Sequence, residues 1–372
     1  MAISNNIVHY FSSPVRLALV GFLSYFSMEI SLIFMPLYAD EVGASPFEVG
    51  LIISAYGMAV FVSAFLFGRL SDLHGRLVFI RLGLALAVGA YLLHLIASGP
   101  VVLMLVRAFV GFAFGISLGA AMAYVYETGF RVGSYAGFSA GGALLGSLAA
   151  GRIADYDALF IASAAAAGLA LLAALTLREE PRQPVHVPAL PVGIIWANRS
   201  IYLPFLLRHL GACAIWSIFP LFLVGIGADK GWIGNLWAIN IGGQFVAMQF
   251  VHRFNPARMF GIGLFLSIAV FIGYGVSTHY LQLIPVQATL AIAFSCIWVG
   301  ALTYIMKGNI ERGTAVGLLY TTEYLAGGVG PLLGGAVAAA WGYSAVMYFA
   351  AGLTAAGMLV SWAGAMAGKG KQ

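Results

Sequence analysis

Apolar stretches of about 20 residues or more alternate with short polar turns along almost the whole chain. A helix rising ~1.5 Å per residue needs roughly 20 mostly apolar residues to cross a hydrocarbon core of ~30 Å. Stretches of that kind fall near 15–38, 47–69, 77–98, 101–125, 134–153, 158–177, 202–226, 232–252, 257–277, 283–306, 314–339 and 342–365. The pattern predicts an all-α integral membrane protein with twelve transmembrane helices. One polar segment stands apart, 178–199, which holds Glu179, Glu180 and Arg182 and prolines at 181, 184, 188 and 191. Its proline and charge content predict a linker rather than a helix. It divides the chain into a six-helix bundle at 1–177, a cytoplasmic linker at 178–199 and a second six-helix bundle at 200–372. The first apolar run follows Arg16 and continues to about Tyr38 with no small-residue cleavage pattern, so it reads as a retained helix and not as a signal peptide.

The two halves repeat. Shifting the chain by 184 residues lays Met35-Pro36-Leu37-Tyr38 over Phe219-Pro220-Leu221-Phe222, Gly50 over Gly234, Gly89 over Gly273, and Ala167-Gly168-Leu169 over Ala351-Gly352-Leu353. The fullest match joins the fifth and eleventh helices. There Gly133, Gly142, Gly146, Ser147, Ala150 and Gly151 fall on Gly317, Ala326, Gly330, Pro331, Gly334 and Gly335. Small residues recur by chance in such a chain, so it is the single shared offset that identifies a repeat. Six spans per half bring both halves into the membrane from the same side, which makes the repeat parallel.

Composition agrees with a lipid-facing chain. Hydrophobic residues make up 62% of the 372 positions and charged residues 8%, with a mean hydropathy of +0.96, where a water-facing domain carries about 25% charged residues. The net charge of +5 does not point to nucleic acid, because the basic residues sit in short loops between apolar runs. All 18 Lys and Arg residues except Arg107, Arg152, Arg208 and Lys230 lie on the side that also holds both chain ends. Positive charge marks the cytoplasmic side, so both termini are expected in the cytoplasm and the protein in the plasma membrane. Cys213 and Cys296 lie within apolar runs and suit packed thiols rather than a disulfide or a metal site. No cofactor and no metal are expected.

The loop after the second helix reads Gly68-Arg69-Leu70-Ser71-Asp72-Leu73-His74-Gly75-Arg76. It resembles the G-x-L-x-D-x-x-G-R signature of the major facilitator superfamily at all five fixed positions. In the fourth helix Leu103, Arg107 and Gly111 are similar to the L-x-x-x-R-x-x-Q-G pattern of proton-coupled members, with Val110 in place of Gln. The fifth helix approaches the antiporter pattern G-x8-G-x3-G-P-x2-G-G through Gly133, Gly142, Gly146 and Gly151. Ser147 replaces its proline and Ala150 one of its glycines. Gly330-Pro331 and Gly334-Gly335 of the eleventh helix keep those two elements instead. The second half's version of the loop signature keeps only Arg253. The resemblance spans essentially the whole chain. It implies a secondary transporter of the twelve-helix drug and metabolite antiporter branch, with two lobes rocking about a central site. It also implies a cytoplasmic gate formed here by Gly68, Asp72, Gly75 and Arg76, to which Glu127 at the inner end of the fourth helix adds a charge.

Small residues four apart let helices approach closely in lipid, and Gly142, Gly146, Gly330, Pro331 and Gly334 are read as helix-packing positions. Gly111, Gly115 and Gly119 continue the face of Arg107, so another helix can lie against that arginine. Ionisable residues inside a span are costly and are candidates for function. Four stand out: Glu29, Arg107, Arg208 and Glu323. Counting ~1.5 Å per residue, Glu29 and Arg107 lie at the same depth, ~21 Å from the inner face, and are expected to pair across the first bundle. Arg208 and Glu323, ~9 and ~14 Å in, are close enough in depth for a second pair. A carboxylate whose arginine neighbour approaches or withdraws can take and release a proton, which assigns Glu29, Arg107 and Glu323 to proton coupling. The alternative is a fixed ion pair that only holds helices together. Tyr25, His209, Asn240, Gln244 and Tyr320 join Glu29, Arg107, Arg208 and Glu323 as candidates for the wall of a substrate cavity. Helix-to-helix hydrogen bonding is the plainer reading of these polar groups, and passive packing that of His209.

Three functions fit. The first is a secondary active transporter that moves a small organic solute by alternating access, as a proton-coupled exporter. The second is an importer or uniporter of a small organic anion held by Arg107 and Arg208. The third is a membrane receptor or scaffold that does not transport. An enzyme is not expected: there is no G-x4-G-K-[ST] phosphate loop, no H-E-x-x-H and no nucleophile elbow. The partners expected are a small-molecule substrate, the proton as coupling ion and the lipid bilayer, with no nucleic acid, around a monomer.

Overall fold

A computed structural model describes residues 2–153, 155–178, 192–251, 253–309 and 312–369, with side chains described for all of these but 2–14, 69, 72, 132–133, 312–313 and 364–369. The described residues are helical almost throughout and hold no strand. The first span is α1 (Ala2–Leu32) and α2 (Met35–Glu41), followed by α3 (Pro46–His74), α4 (Arg76–Leu92), α5 (Pro100–Glu127), α6 (Val132–Ala150) and α7 (Tyr156–Leu175). After the short α8 (Val192–Ala197), the order repeats as α9 (Arg199–Trp216) with α10 (Phe219–Gly225), α11 (Lys230–Val251), α12 (Pro256–Val276), α13 (Leu283–Gly308), α14 (Arg312–Trp341) and α15 (Tyr343–Lys369).

Each half begins with a broken helix, a detail that hydropathy does not show. Pro36 and Pro220, 184 positions apart, both occupy the first turn of the shorter piece, where a missing N–H costs nothing. The bend between α9 and α10 is 51°. Among the described residues nine helices are long and apolar enough to cross a membrane, and the bent pair makes a tenth. The two that complete the expected twelve, α6 and α11, are thinned in apolarity by glycine, serine and amide side chains. Helix starts are capped locally: Ser45 and Glu48 form a reciprocal capping box on α3, Asp155 caps α7, and Asn255 caps α12. Gly137-Phe138-Ser139-Ala140-Gly141 does carry the letters of a nucleophile elbow, contrary to the expectation that none is present. It lies inside α6 with Ser139 buried and no strand before it, so it lacks the strand-to-helix turn that such a nucleophile needs.

The start of α1 and the end of α15 share one face, called here the terminal face, and the turns at 42–45, 151–153 and 226–229 lie on the far face. In the first half α1 packs on α6 and α7, α3 on α5, and α4 on α5 and α7; in the second, α9 packs on α14 and α15, α11 on α13, and α12 on α13 and α15. The halves meet through α3 against α14 and α6 against α11. Those contacts obey the sequence repeat. A Cβ added at Gly50 would strike the Pro331 carbonyl and Gly335, and one added at Gly234 would strike the Ser147 carbonyl and Gly151. The second trio is the first shifted by 184.

Candidate functional site

The halves are joined at one end only. At the far face a single apolar cluster takes Ile30, Phe34 and Leu159 from the first half and Phe219, Leu236 and Met347 from the second. Gly57 lies on the Gly327 carbonyl, and the Ser54 hydroxyl donates to the Gly328 carbonyl across the junction. The Lys230 ammonium sits 3.8 Å above the Tyr156 ring, again between halves. Towards the terminal face the core divides. Leu17, Ile80 and Tyr124 belong to a cluster drawn from the first half alone, and Phe205, Phe260 and Leu319 to one from the second alone. The structure is therefore closed at the far face and parted at the terminal face.

Tyrosines gather around a carboxylate where the halves part. Tyr25, Tyr56 and Tyr135 come from α1, α3 and α6, Tyr320 and Tyr324 from α14, and all lie within electrostatic reach of Tyr25 or Tyr324, as does Glu323. Tyr25 packs edge-on to Phe114 (5.8 Å between centroids) and Tyr320 edge-on to Trp298 (5.1 Å). Tyr25, Tyr320 and Glu323 were legible as candidates. Tyr56, Tyr135 and Tyr324 were not, because Tyr25 and Tyr320 share a helix face with Glu29 and Glu323 and these three have no acidic residue on theirs. The repeat offered a signal for one of them, since Tyr56 aligns with the candidate Asn240.

Glu29 and Arg107 do not form the expected ion pair. Glu29 is 6% exposed, its Cβ is held against α6 at Gly146, and its Oε1 is enclosed with no hydrogen bond. Arg107 has no exposed surface; its guanidinium lies 4.4 Å over the Tyr56 ring, and none of its three nitrogens is hydrogen-bonded. Equal depth did not bring the two together because Arg107 points towards α3, where Tyr56 covers its face. The glycine face of α5 does meet another helix, with Gly111 against the Tyr56 backbone and Gly115 against Val60 and Ser63. Burying a charge without hydrogen bonds costs several kcal/mol. Arg107 carries that cost at all three nitrogens and Glu29 at one oxygen.

In the second half Arg208 is 3% exposed, donates from Nε to the Ser267 hydroxyl at 3.3 Å, and lies 5.6 Å from both the Phe271 and Phe294 rings. Glu323 feels its charge without an ion pair between them. His209 stacks on Phe205 at 3.9 Å, with Nδ1 2.9 Å from the Phe205 carbonyl, which is the packed arrangement of a passive histidine. Asn240 accepts at Oδ1 from the Gln244 amide at 2.6 Å, a bond within one helix.

At the terminal face Arg76 donates from Nε and Nη2 to Glu127 Oε1 at 3.0 and 2.9 Å, and from Nη1 to the Ser71 hydroxyl at 2.7 Å. These bonds tie the α3–α4 corner to the end of α5. Gly75 has φ +118°, which only glycine adopts without strain, and Gly68 has open space where a Cβ would be. The Asp72 side chain lies outside the described residues. At the packing positions, Gly142 and Gly146 lie against Phe22, Phe26 and Glu29 of α1, and Gly330 and Gly334 against Leu210, Cys213 and Ala214 of α9, with Pro331 on α3. Among the described residues no three His, Cys, Asp or Glu side chains are placed to share a metal ion.

The family model described as Major Facilitator Superfamily matches residues 17–239. The chain belongs to that superfamily. Its fold is that of twelve transmembrane helices as two parallel six-helix repeats, and it is a multi-pass membrane transporter and not an enzyme. Among curated proteins it is 26% identical over 374 residues to the multidrug resistance protein MdtG of Proteus mirabilis, covering 92% of each chain. It is 22% identical over 376 residues to MdtG of Salmonella typhi, again covering 92% of each. Among solved structures the superfamily fold is matched by a point mutant of the nucleoside transporter NupG at a TM-score of 0.81 and 14% identity, covering 94% of this chain and 99% of that one. A bacterial homologue of the lysosomal transporter Spinster, inward-facing and occupied, matches at 0.79 and 16%, covering 95% and 96%. A D-xylose-proton symporter matches at 0.74 and 16%, covering 95% and 97%.

Proposed function

We propose that this transporter exports small organic compounds across the plasma membrane in exchange for protons, by alternating access. Glu29 carries the reading. It is a buried carboxylate with one oxygen enclosed and unbonded, inside a bundle whose halves are closed at one face and parted at the other. In that setting it holds its proton when shut away and releases it when a polar partner reaches it. Glu323 is the second coupling group, and the tyrosines around it form the wall that a solute meets. Arg107 sets the charge around Tyr56 and Glu29. The relatives named as multidrug resistance proteins support export, and the basic residues on the terminal face support a cytoplasmic position for both chain ends.

Residues 1–177 and 200–372 are the two rocking lobes of a monomer and 178–199 their linker. Gly68, Asp72, Gly75, Arg76 and Glu127 make the cytoplasmic gate. An anion-binding role is less well supported, because Arg107 and Arg208 are 0% and 3% exposed and present ring-covered faces. The test uses purified protein in liposomes with a pH-sensitive dye inside. Solutes that shift the melting temperature should drive proton movement in wild type and none in Glu29→Gln, which should still bind them. Proton movement that survives Glu29→Gln would remove Glu29 from the coupling role.

A further inference from the structure

One corner of the terminal face is built differently in the two halves. In the first half two arginines close it. Arg81 donates from Nε to the Ala174 carbonyl at 3.2 Å and from Nη2 to the Leu177 carbonyl at 2.8 Å, while Arg16 donates from Nη1 to the Thr176 carbonyl at 3.1 Å. These bonds satisfy the orphan carbonyls at the end of α7. Shifted by 184, Arg16 becomes Ser200 and Arg81 becomes Phe265. Neither can reach across. The second half is left with a groove of about 640 Å³ between the starts of α9 and α12 and the end of α15, lined by Ser200, Arg258, Phe260, Phe265, Tyr304 and Trp362. A second cavity of about 470 Å³ adjoins it, sharing Ala257 and Tyr304 and reaching Lys307.

The groove has an apolar floor and a positive rim. Phe265, Ile262 and Trp362 are 61%, 53% and 57% exposed on it. Arg258 and Lys307 are both exposed, and neither forms an ion pair among the described residues. From Gln183 to Ile310 the only carboxylate in the sequence is Asp229, at the far face, and Glu311, which follows, lies outside the described residues. Tyr304 lines both cavities, and amphipathic rings of this kind meet lipid at the level of the headgroups. Basic pockets between helices at this level attract anionic heads, and each nearby Lys or Arg strengthens the attraction.

We propose that this corner of the second half binds one anionic phospholipid. Its phosphate sits at the rim formed by Arg258 and Lys307, and an acyl chain follows Phe265 and Trp362. The site requires only the fold and is independent of substrate and of transport direction. Full-length protein in detergent would be titrated with phosphatidylglycerol, phosphatidylcholine and, separately, inorganic phosphate. Bound lipid would be counted by native mass spectrometry. Phosphatidylglycerol should bind one copy in preference to phosphatidylcholine. Arg258→Ala and Lys307→Ala should each weaken that copy about fivefold. Arg258→Ala with Lys307→Ala should remove it while the melting temperature holds. Equal binding of the two lipids would overturn the proposal. So would a preference that survives Arg258→Ala with Lys307→Ala, or phosphate alone competing the lipid away.

Discussion

The two halves share a backbone and divide the chemistry. Glu29 and Cys213 occupy the same place, one against Gly146 and the other against Gly330, 184 residues apart. Arg107 has Ala291 as its counterpart, Arg208 has Ser24 and Glu323 has Ser139. The paired contacts at Gly50 and Gly234 are made by glycines and backbone carbonyls and depend on size, so they stay symmetric. The charged groups lie off those contacts and were free to differ. Repetition constrains what touches across the junction, and leaves the interior of each bundle open to specialise.

The strongest way to break this comparison is to exchange its two unlike residues. Glu29→Cys with Cys213→Glu keeps both residue types and moves the carboxylate to the symmetric position. Coupling, measured as proton flux in liposomes, should be abolished as in Glu29→Gln, since Ala291 and Asn240 stand where Arg107 and Tyr56 would have to be. Restored coupling would mean that the environment contributes nothing. The symmetric contacts offer the converse test. Gly50→Val places a Cβ 2.7 Å from Gly335, and Gly234→Val places one 2.6 Å from the Ser147 carbonyl. Overpacking of this kind costs about 1–3 kcal/mol, and the two variants should lower the melting temperature equally. Unequal losses would show the junction to be less symmetric than its geometry.

Smaller effects belong to contacts present on one side only. Glu127→Gln removes the carboxylate that holds Arg76 and should cost about 1–2 kcal/mol, read as a lower melting temperature. Lys230→Met removes the cation over Tyr156, worth about 0.5–1 kcal/mol. It should raise the labelling rate of a cysteine placed on the far face by a few-fold at most.

The fold was legible because span length and a constant offset are properties of the sequence itself. Small-residue packing was legible for a related reason: spacing along one helix fixes a face, and Gly142, Gly146, Gly330 and Gly334 each meet a neighbour as that spacing implies. The candidate site was legible only in part. Depth along a helix can be counted from residue number, but direction around it depends on neighbours distant in sequence. Glu29 and Arg107 were matched by depth and separated by direction, with Tyr56 on the guanidinium face. The tyrosine cluster was invisible for the same reason, since its members come from α1, α3, α6 and α14. The break at Pro36 and Pro220 was present in the repeat as a matched pair of prolines, although hydropathy runs straight through it.

The closed far face is held mainly by its packed apolar side chains and close-set backbone, with the Ser54 hydroxyl bond and the Lys230 ring contact as directional additions. Dispersion is spread over many weak contacts and is indifferent to dissolved ions, whereas exposed charge pairs weaken as the Debye length shrinks. Turnover limited by opening of that face should therefore be nearly independent of ionic strength. Its kinetics should resemble the peeling of two smooth surfaces rather than the release of a latch.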